Sequence, residues 1–348
     1  MMVPRRAKHA WALRELILVM ALGVFPLQAQ AQGASTPPQD QQGYECLAKS
    51  QDAPNSEIEW LERGLWASHC YAFQARAVAI DAVGVRTLAL SHRIKNGIRQ
   101  QVVQYLDGPT VSIERRSPVG RLAWTEENVN SEQPSPARWA AHLSQHYTIE
   151  LEDNARVAGR DAVKLVFEPL DQWRFSHQWW LDRETGLLLK HVLTDQQGRV
   201  IETFQITQLQ SPEQYAGSVR VDTPSNMPAI PWNTTWLPGG FVAQPVPLTG
   251  NDDHQRVYSD GLATVSLFVE PISTDAKTTL EEGVQQLGVS AVAIEHYASA
   301  EGRWQLVAIG ELPVTTLQRI VRSITFDAAP PPDTDDNNEA DSSNEGEQ

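Results

Sequence analysis

Hydrophobic and polar positions alternate most clearly between Trp173 and Leu209. Phe175, Trp179 and Leu181 alternate with Ser176, Gln178 and Asp182, which gives one apolar face at strand spacing. Two short segments ending in glycine, Arg183 to Gly186 and Asp195 to Gly198, divide the stretch into three runs. The pattern predicts a three-stranded antiparallel meander. Trp180, Leu188 and Val192 fall on the other face of their strands. A sheet apolar on both faces is either covered by a helix or curved around an apolar ligand.

The same reading extends upstream. Ser56 and Glu59 form a capping box before Ile58, Leu61 and Leu65, so a helix is expected, ending near Trp66. Strand-like runs follow at 71–80, 86–95, 98–106 and 110–116, and Asn96-Gly97 marks a tight hairpin. Ser135 with Pro136 opens a second helix, whose buried side is marked by Trp139 and Leu143. Strands resume at 147–151 and 162–167. The count for 43–211 is nine or ten strands and two helices with local connections. That predicts one large antiparallel sheet, strongly curved or barrel-like.

Seven of the 22 prolines lie between Pro212 and Pro247, which marks an extended connection. Beyond it a small α+β domain is expected. Its strands are Arg256 to Tyr258, Leu262 to Val269, Val289 to Tyr297 and Trp304 to Ile309. Thr279 with Glu282 predicts a helix ending at Gly288, and Val314, Leu317, Ile320 and Ile324 predict a last one. The expected divisions are 1–31, 32–56 as an N-terminal extension, 57–211 as the large domain, 212–232 as the linker, 233–327 as the small domain, and 328–348 as an acidic disordered tail.

Residues 1–31 carry a basic start (Arg5, Arg6, Lys8), an apolar run from Leu16 to Phe25 and the small-x-small site Ala29-Gln30-Ala31. This is the order of a secretory signal peptide, cut near Ala31. The formal charge is −15. Residues 1–31 hold four basic side chains and one Glu, so the mature chain is near −18, and eight of those charges are carboxylates between Asp327 and Gln348. Nucleic acid is therefore not an expected partner. The two cysteines, Cys46 and Cys70, fall in an oxidising context. Either they form a disulfide that ties the N-terminal extension to the first helix, or one is a buried and the other a solvent-facing thiol.

Candidate chemistry is sparse. No nucleophile elbow, P-loop or dinucleotide fingerprint occurs. His142 and His146 have an i, i+4 spacing that suits a metal, but Leu143 replaces the general-base Glu, and both read as surface residues. Asp182 and Glu184 read as solvated turn residues, and His177 with His191 as a structural cross-strand pair. No catalytic residue, metal site or cofactor is expected. From the residues alone the chain is an exported two-domain binding protein with eleven Trp available for core and contact surfaces.

Three strings carry a resemblance: Trp180-Leu181-Asp182-Arg183-Glu184-Thr185-Gly186-Leu187, followed by Phe204-Gln205-Ile206-Thr207; Trp236-Leu237-Pro238-Gly239-Gly240-Phe241; and Tyr258-Ser259-Asp260-Gly261-Leu262-Ala263-Thr264-Val265-Ser266-Leu267-Phe268-Val269-Glu270. Over about residues 57–325 the chain resembles the MucB/RseB family of periplasmic sigma-E regulators. It departs where the family has Tyr-x-Gly-x-Phe-x-Tyr and this chain has Tyr71-Ala72-Phe73-Gln74-Ala75-Arg76-Ala77, and in the Cys46 segment and acidic tail. The resemblance implies a mainly β fold: a lipoprotein-carrier-like half-open antiparallel barrel with plugging helices, plus a smaller α+β C-terminal domain. It implies a non-enzymatic periplasmic brake. Such a protein binds the periplasmic part of an inner-membrane anti-sigma factor of the MucA/RseA kind and shields it from regulated proteolysis. Lipopolysaccharide or another envelope lipid displaces it. On this reading Trp236, Phe241 and Tyr258 are the partner-binding residues, in a surface groove, and Trp179, Trp180, Leu188 and Val192 line the lipid site. The alternative is a periplasmic lipid or lipoprotein carrier. Monomer and homo-oligomer both stay open.

Overall fold

The computed structural model describes residues 43–47, 53–118, 135–220, 231–244, 254–272, 279–299 and 302–326. The expected signal peptide, the acidic tail and residues 221–230 and 245–247 of the proline-rich connection lie outside the described residues.

The large sheet has nine antiparallel strands: β2 (Tyr71–Asp81), β3 (Gly84–Lys95), β4 (Ile98–Tyr105), β5 (Ser112–Pro118), β6 (Tyr147–Val157), β7 (Arg160–Pro169), β8 (Ser176–Asp182), β9 (Leu188–Thr194) and β10 (Val200–Gln214). Their order is β5-β4-β3-β2-β10-β9-β8-β7-β6. The end strands β5 and β6 do not pair with each other, so the sheet stays open, as the expected half-open barrel requires. Local hairpins account for every neighbour except β2 with β10, which joins the two halves.

Two helices cover part of one face. In α1 (Glu57–Cys70) the Ser56 hydroxyl accepts from Glu59 N, and the Glu59 carboxylate accepts from Asn55 N at 2.6 Å. The helix runs one turn past the expected end and stops where β2 begins. In α2 (Pro136–Ser144) Ser135 caps Arg138 N and Pro sits at N1. Trp60, Leu61 and Leu65 of α1 and Ala140 and Leu143 of α2 pack with Tyr147, Val163, Leu165, Phe167 and Leu181 of the sheet. Each large apolar side chain fully buried there contributes roughly 1.5–3 kcal/mol relative to exposure.

The meander forms with one change of register. A bulge between the Trp180 and Leu181 pairs sets Leu181 opposite Leu188. Leu188 therefore shares the helix-covered face with Trp179 and Leu181, contrary to the strict alternation expected from the sequence.

At the N-terminus β1 (Gly43–Glu45) pairs with β11 (Ser218–Arg220). Cys46 and Cys70 are both buried and joined in a disulfide, with Cα atoms 5.4 Å apart. The first part of the expected linker is thus occupied by the end of β10 and by β11.

The second unit contains a six-stranded antiparallel sheet of β13 (Val242–Gln244), β14 (Gln255–Ser259), β15 (Thr264–Pro271), β16 (Gly283–Leu287), β17 (Ser290–Ser299) and β18 (Gly302–Gly310), ordered β13-β14-β15-β18-β17-β16. Beside it β12 (Trp232–Thr234) pairs with β19 (Ile324–Phe326). Helix α3 (Val314–Arg322) buries Leu317, Ile320 and Val321 against the sheet's core. The helix expected from Thr279 to Gly288 is absent. That segment is edge strand β16, joined to β17 through Gly288 and Val289. The Glu282 carboxylate, expected to cap the helix, accepts from His296 N at 2.8 Å. Ladder pairing with β17 outweighs the local capping signal.

Candidate functional site: the seam between the two units

Two of the resemblance strings, Trp236 to Phe241 and Tyr258 to Glu270, meet at one place. Arg174, just before β8, is fully buried. Its Nη1 donates to Asp260 Oδ2 at 2.7 Å, and its Nη2 donates to Gly239 O at 2.6 Å and to Asp171 Oδ2 at 2.9 Å. Its guanidinium lies 5.4 Å from the ring centres of both Tyr147 and Phe241. Tyr147 Oη donates to the same Asp260 oxygen at 2.8 Å. The other Asp260 oxygen accepts from Leu262 N and Ala263 N, which shapes the turn between β14 and β15. One carboxylate therefore folds its own turn and fastens it to the neighbouring unit.

The electrostatics follow from burial and proximity. Burial opposes the Arg174 charge, but Asp260, Tyr147 and Asp171 outweigh it and hold the guanidinium above its ordinary pKa. Burial, with Asp260 second, pushes the Tyr147 hydroxyl well up. Tyr147 thus stays a neutral donor and Asp260 accepts two charge-assisted or buried bonds.

Helix α2 supplies the next layer. His142 Nε2 lies 2.9 Å from Gly240 O, and the His142 and His146 rings stand 4.9 Å apart. Burial first, then His142 and Arg174, lower the His146 pKa. The reading of these histidines as surface residues is corrected: His142 is buried and both stand against the second unit. Gly240 has φ +81° and Gly261 φ +102°. A Cβ on Gly240 would overlap the His146 imidazole, and one on Gly261 the Trp139 indole. Both glycines therefore serve a left-handed backbone and a close approach at once.

On the far side of the seam Thr316 Oγ1 donates to Trp173 O at 2.9 Å. Trp173 and Trp236 meet edge to face at 5.1 Å, and the Arg319 guanidinium lies 3.9 Å from the Trp236 ring centre and 4.7 Å from that of Trp173. Next to this stack a cleft of about 410 Å³ is lined by Trp236, Thr315, Gln318, Arg319, Arg322 and Ser323.

The expected partner-binding residues are therefore not equivalent. Trp236 lines the cleft. Phe241 and Tyr258 are 6% and 8% exposed and belong to the second unit's core, so neither faces a surface groove. The expected lipid residues are also split. Trp179 and Leu188 pack under the helices. Trp180 sits on the opposite ladder face, with the ammonium groups of its cross-strand neighbours Lys164 and Lys190 at 5.4 and 4.6 Å. Val192, opposite Gln178, is on that same face and buried. Asp182, expected to be solvated, is buried, receives both Arg160 Nε and Nη2, and holds the Thr185 turn; Glu184 is exposed. His177 and His191 stack at 5.3 Å as a structural pair. No group of three or more His, Cys, Asp or Glu among the described residues could hold a metal ion.

Two domain families match, the MucB/RseB N-terminal domain over residues 56–228 and the MucB/RseB C-terminal domain over 226–325. The chain belongs to the MucB/RseB family. It is 28% identical over 297 residues to the sigma factor AlgU regulatory protein MucB of Pseudomonas aeruginosa, covering 78% of this chain and 91% of that one. The sigma-E factor regulatory protein RseB of Escherichia coli K12 is 26% identical over 295 residues, covering 76% and 88%. A solved complex of P. aeruginosa MucA and MucB is similar at 28% identity and a TM-score of 0.59, over 78% of this chain and 99% of that one.

In this MucB/RseB chain the seam joins residues of both matched domains, Tyr147 and Arg174 of the first with Gly239 and Asp260 of the second. Sequence reasoning left Asp260 between two expected strands with no role, and missed Arg174 and Tyr147. The available signal was a lone Arg inside the run Trp173-Arg174-Phe175, three residues after Asp171. Charge in such a run demands a partner if the run is buried.

Proposed function

We propose that this protein is a non-enzymatic periplasmic regulator. It binds the periplasmic part of a membrane anti-sigma factor, shields it from regulated proteolysis, and lets it go when lipopolysaccharide or another envelope lipid occupies the half-open barrel. The similarity to MucB, solved in complex with MucA, carries the reading. The seam supports it physically. A lipid that changes the packing of α1 and α2 acts on the same helix, α2, that holds Gly240 and Gly261 through His142, His146 and Trp139. Two ligands that prefer different arrangements of one seam weaken each other's binding reciprocally.

Trp236 is the residue we assign to the partner, because it lines the cleft beside Arg319. Phe241 and Tyr258 support that surface from the core. Trp179 and Leu188 report lipid through the helices that cover them.

The test uses the full-length protein and the periplasmic domain of the cognate anti-sigma factor. Trp236→Ala should weaken binding by about 30-fold, the loss of a central interface aromatic. A lipid A-like amphiphile should weaken wild-type binding and speed cleavage of the anti-sigma domain by its periplasmic protease. Unchanged affinity in Trp236→Ala removes Trp236 from the interface. Unchanged affinity and cleavage with saturating amphiphile overturn the release step.

A further inference from the structure

Helix α3 turns a cationic face to the cleft beside the tryptophans. Its sequence contains Arg319 and Arg322 and no acidic side chain. Thr315, Arg319 and Arg322 are exposed, and Gln318 is half-buried among the same lining residues. Arg322 is already matched, since its Nη2 lies 2.7 Å from Glu295 Oε1. Arg319 instead lies over the rings of Trp236 and Trp173, and among the described residues no carboxylate pairs with it. Stacking occupies the faces of a guanidinium and leaves its in-plane N–H groups for a planar acceptor.

A strongly acidic stretch of the same chain starts close by. Ser323, a lining residue, leads into β19, and the described residues end at Phe326. Between Asp333 and Glu347 there are seven carboxylates and no Lys or Arg. Strand β19 is anchored by its pairing with β12 and by Phe326, whose ring stacks on Tyr297 at 5.0 Å. From Phe326 back to Arg319 is about 10 Å of strand and about 6 Å of helix. The chain from Phe326 to Asp333 spans up to about 23 Å when extended. Asp333 and every carboxylate after it therefore reach the cleft.

We propose that residues 333–347 of this chain dock in the cleft, with a carboxylate on Arg319 and further contacts to Thr315 and Gln318, and so compete with the anti-sigma segment for Trp236. Charge and tether together select this occupant. The rest of the mature chain is itself net negative, so an acidic segment is repelled except at local cations. One exposed ion pair is weak. A short tether, however, gives a local concentration of about 1 mM, at which a site with a Kd of about 1 mM is half filled. Half filling lowers the apparent affinity for a competing ligand about twofold. This inference rests on the assignment of Trp236 to the partner, and adds a built-in competitor at that site.

The experiment compares the full chain with a variant in which the carboxylates of 333–347 are changed to their amides. Two quantities are measured: the indole N–H NMR signal of Trp236, identified with Trp236→Phe, and affinity for the periplasmic domain of the anti-sigma factor. In low salt the Trp236 signal should differ between the two proteins, and the amide variant should bind the anti-sigma domain about twofold or more tightly. Both differences should vanish in about 1 M NaCl, where the screening length falls to about 3 Å. Free peptide 328–348 at about 1 mM should move the Trp236 signal of the amide variant toward the wild-type position. In Arg319→Gln the tail charge should leave that signal unmoved. Identical Trp236 signals in wild type and amide variant overturn the docking, as does a shift that survives Arg319→Gln. A signal that follows protein concentration and not tail charge puts a second copy in the cleft and overturns it too. A shifted signal with equal affinities overturns the competition. If the amide variant shifts Trp236 but Trp236→Ala leaves anti-sigma affinity unchanged, the partner assignment fails and the docking stands. If Trp236→Ala weakens anti-sigma binding and the amide variant changes neither quantity, the docking fails and the partner assignment stands.

Discussion

Arg174 and Asp260, 86 residues apart, form a fully buried ion pair at 2.7 Å between the half-open barrel and the second unit. Removing one partner of such a pair leaves the other charge uncompensated, which costs about 3–5 kcal/mol. Asp260→Ala should destabilise the protein by that amount and separate the unfolding of the two units in urea. The double variant Arg174→Met with Asp260→Leu should recover much of the loss, because isosteric apolar pairs often replace buried ion pairs at little cost. A loss below about 1 kcal/mol in Asp260→Ala would show that the pair does not hold the seam.

Gly261→Ala should destabilise by about 2 kcal/mol or more, since it combines φ +102° with a Cβ driven into Trp139. Gly84→Ala is the control, with a positive φ and nothing within 4 Å of the added carbon. Thermal melts and Trp fluorescence of both variants check this. Equal losses would mean that the Trp139 contact adds nothing to the backbone strain.

The Cys46–Cys70 disulfide spans 24 residues. Loop-closure entropy assigns it roughly 3 kcal/mol. Cys46→Ser with Cys70→Ser should lower stability by that order and speed proteolysis near β1. Reduction that leaves the urea midpoint unmoved would contradict it.

Burial raises the Glu202 pKa to about 7, with Glu311 across the seam adding to it, Arg86 opposing and Asp81 adding again. Burial also raises Glu311. A carboxyl raised above its unfolded value binds more protons in the folded state. Its contribution is present below about pH 4.5 and is lost as pH rises toward 7. The buried histidines His92 and His191, lowered to about 4, act the opposite way: their contribution is present at neutral pH and is lost on acidification. The difference between wild type and Glu202→Gln isolates the carboxyl. Relative to Glu202→Gln, wild type should lose stability between pH 5 and 7 and change little above 8. A pH-independent difference in urea titrations would refute the shift.

Local patterning was enough for most strands of the barrel. Asn96-Gly97 and the two glycine-ended segments of the meander turn the chain where their φ preferences demand, and Ser56 and Ser135 cap their helices with their own hydroxyls. Such features are legible because they depend on residues within a few positions of one another. The strings that resemble the MucB/RseB family were legible as strings, and the domain matches agree with them.

Only the tertiary structure decided what those strings do. Residues 279–288 carry a sound helix-capping pair, yet fold as an edge strand because β17 supplies a ladder. Leu188 changes face because one bulge shifts the register. Phe241 and Tyr258, expected in a surface groove, are core residues, while Arg174, unremarked, is a fully buried charge at the seam. A burial cost or a salt bridge is a property of two segments brought together across the fold. No window of sequence contains both Arg174 and Asp260, and their meaning is their contact.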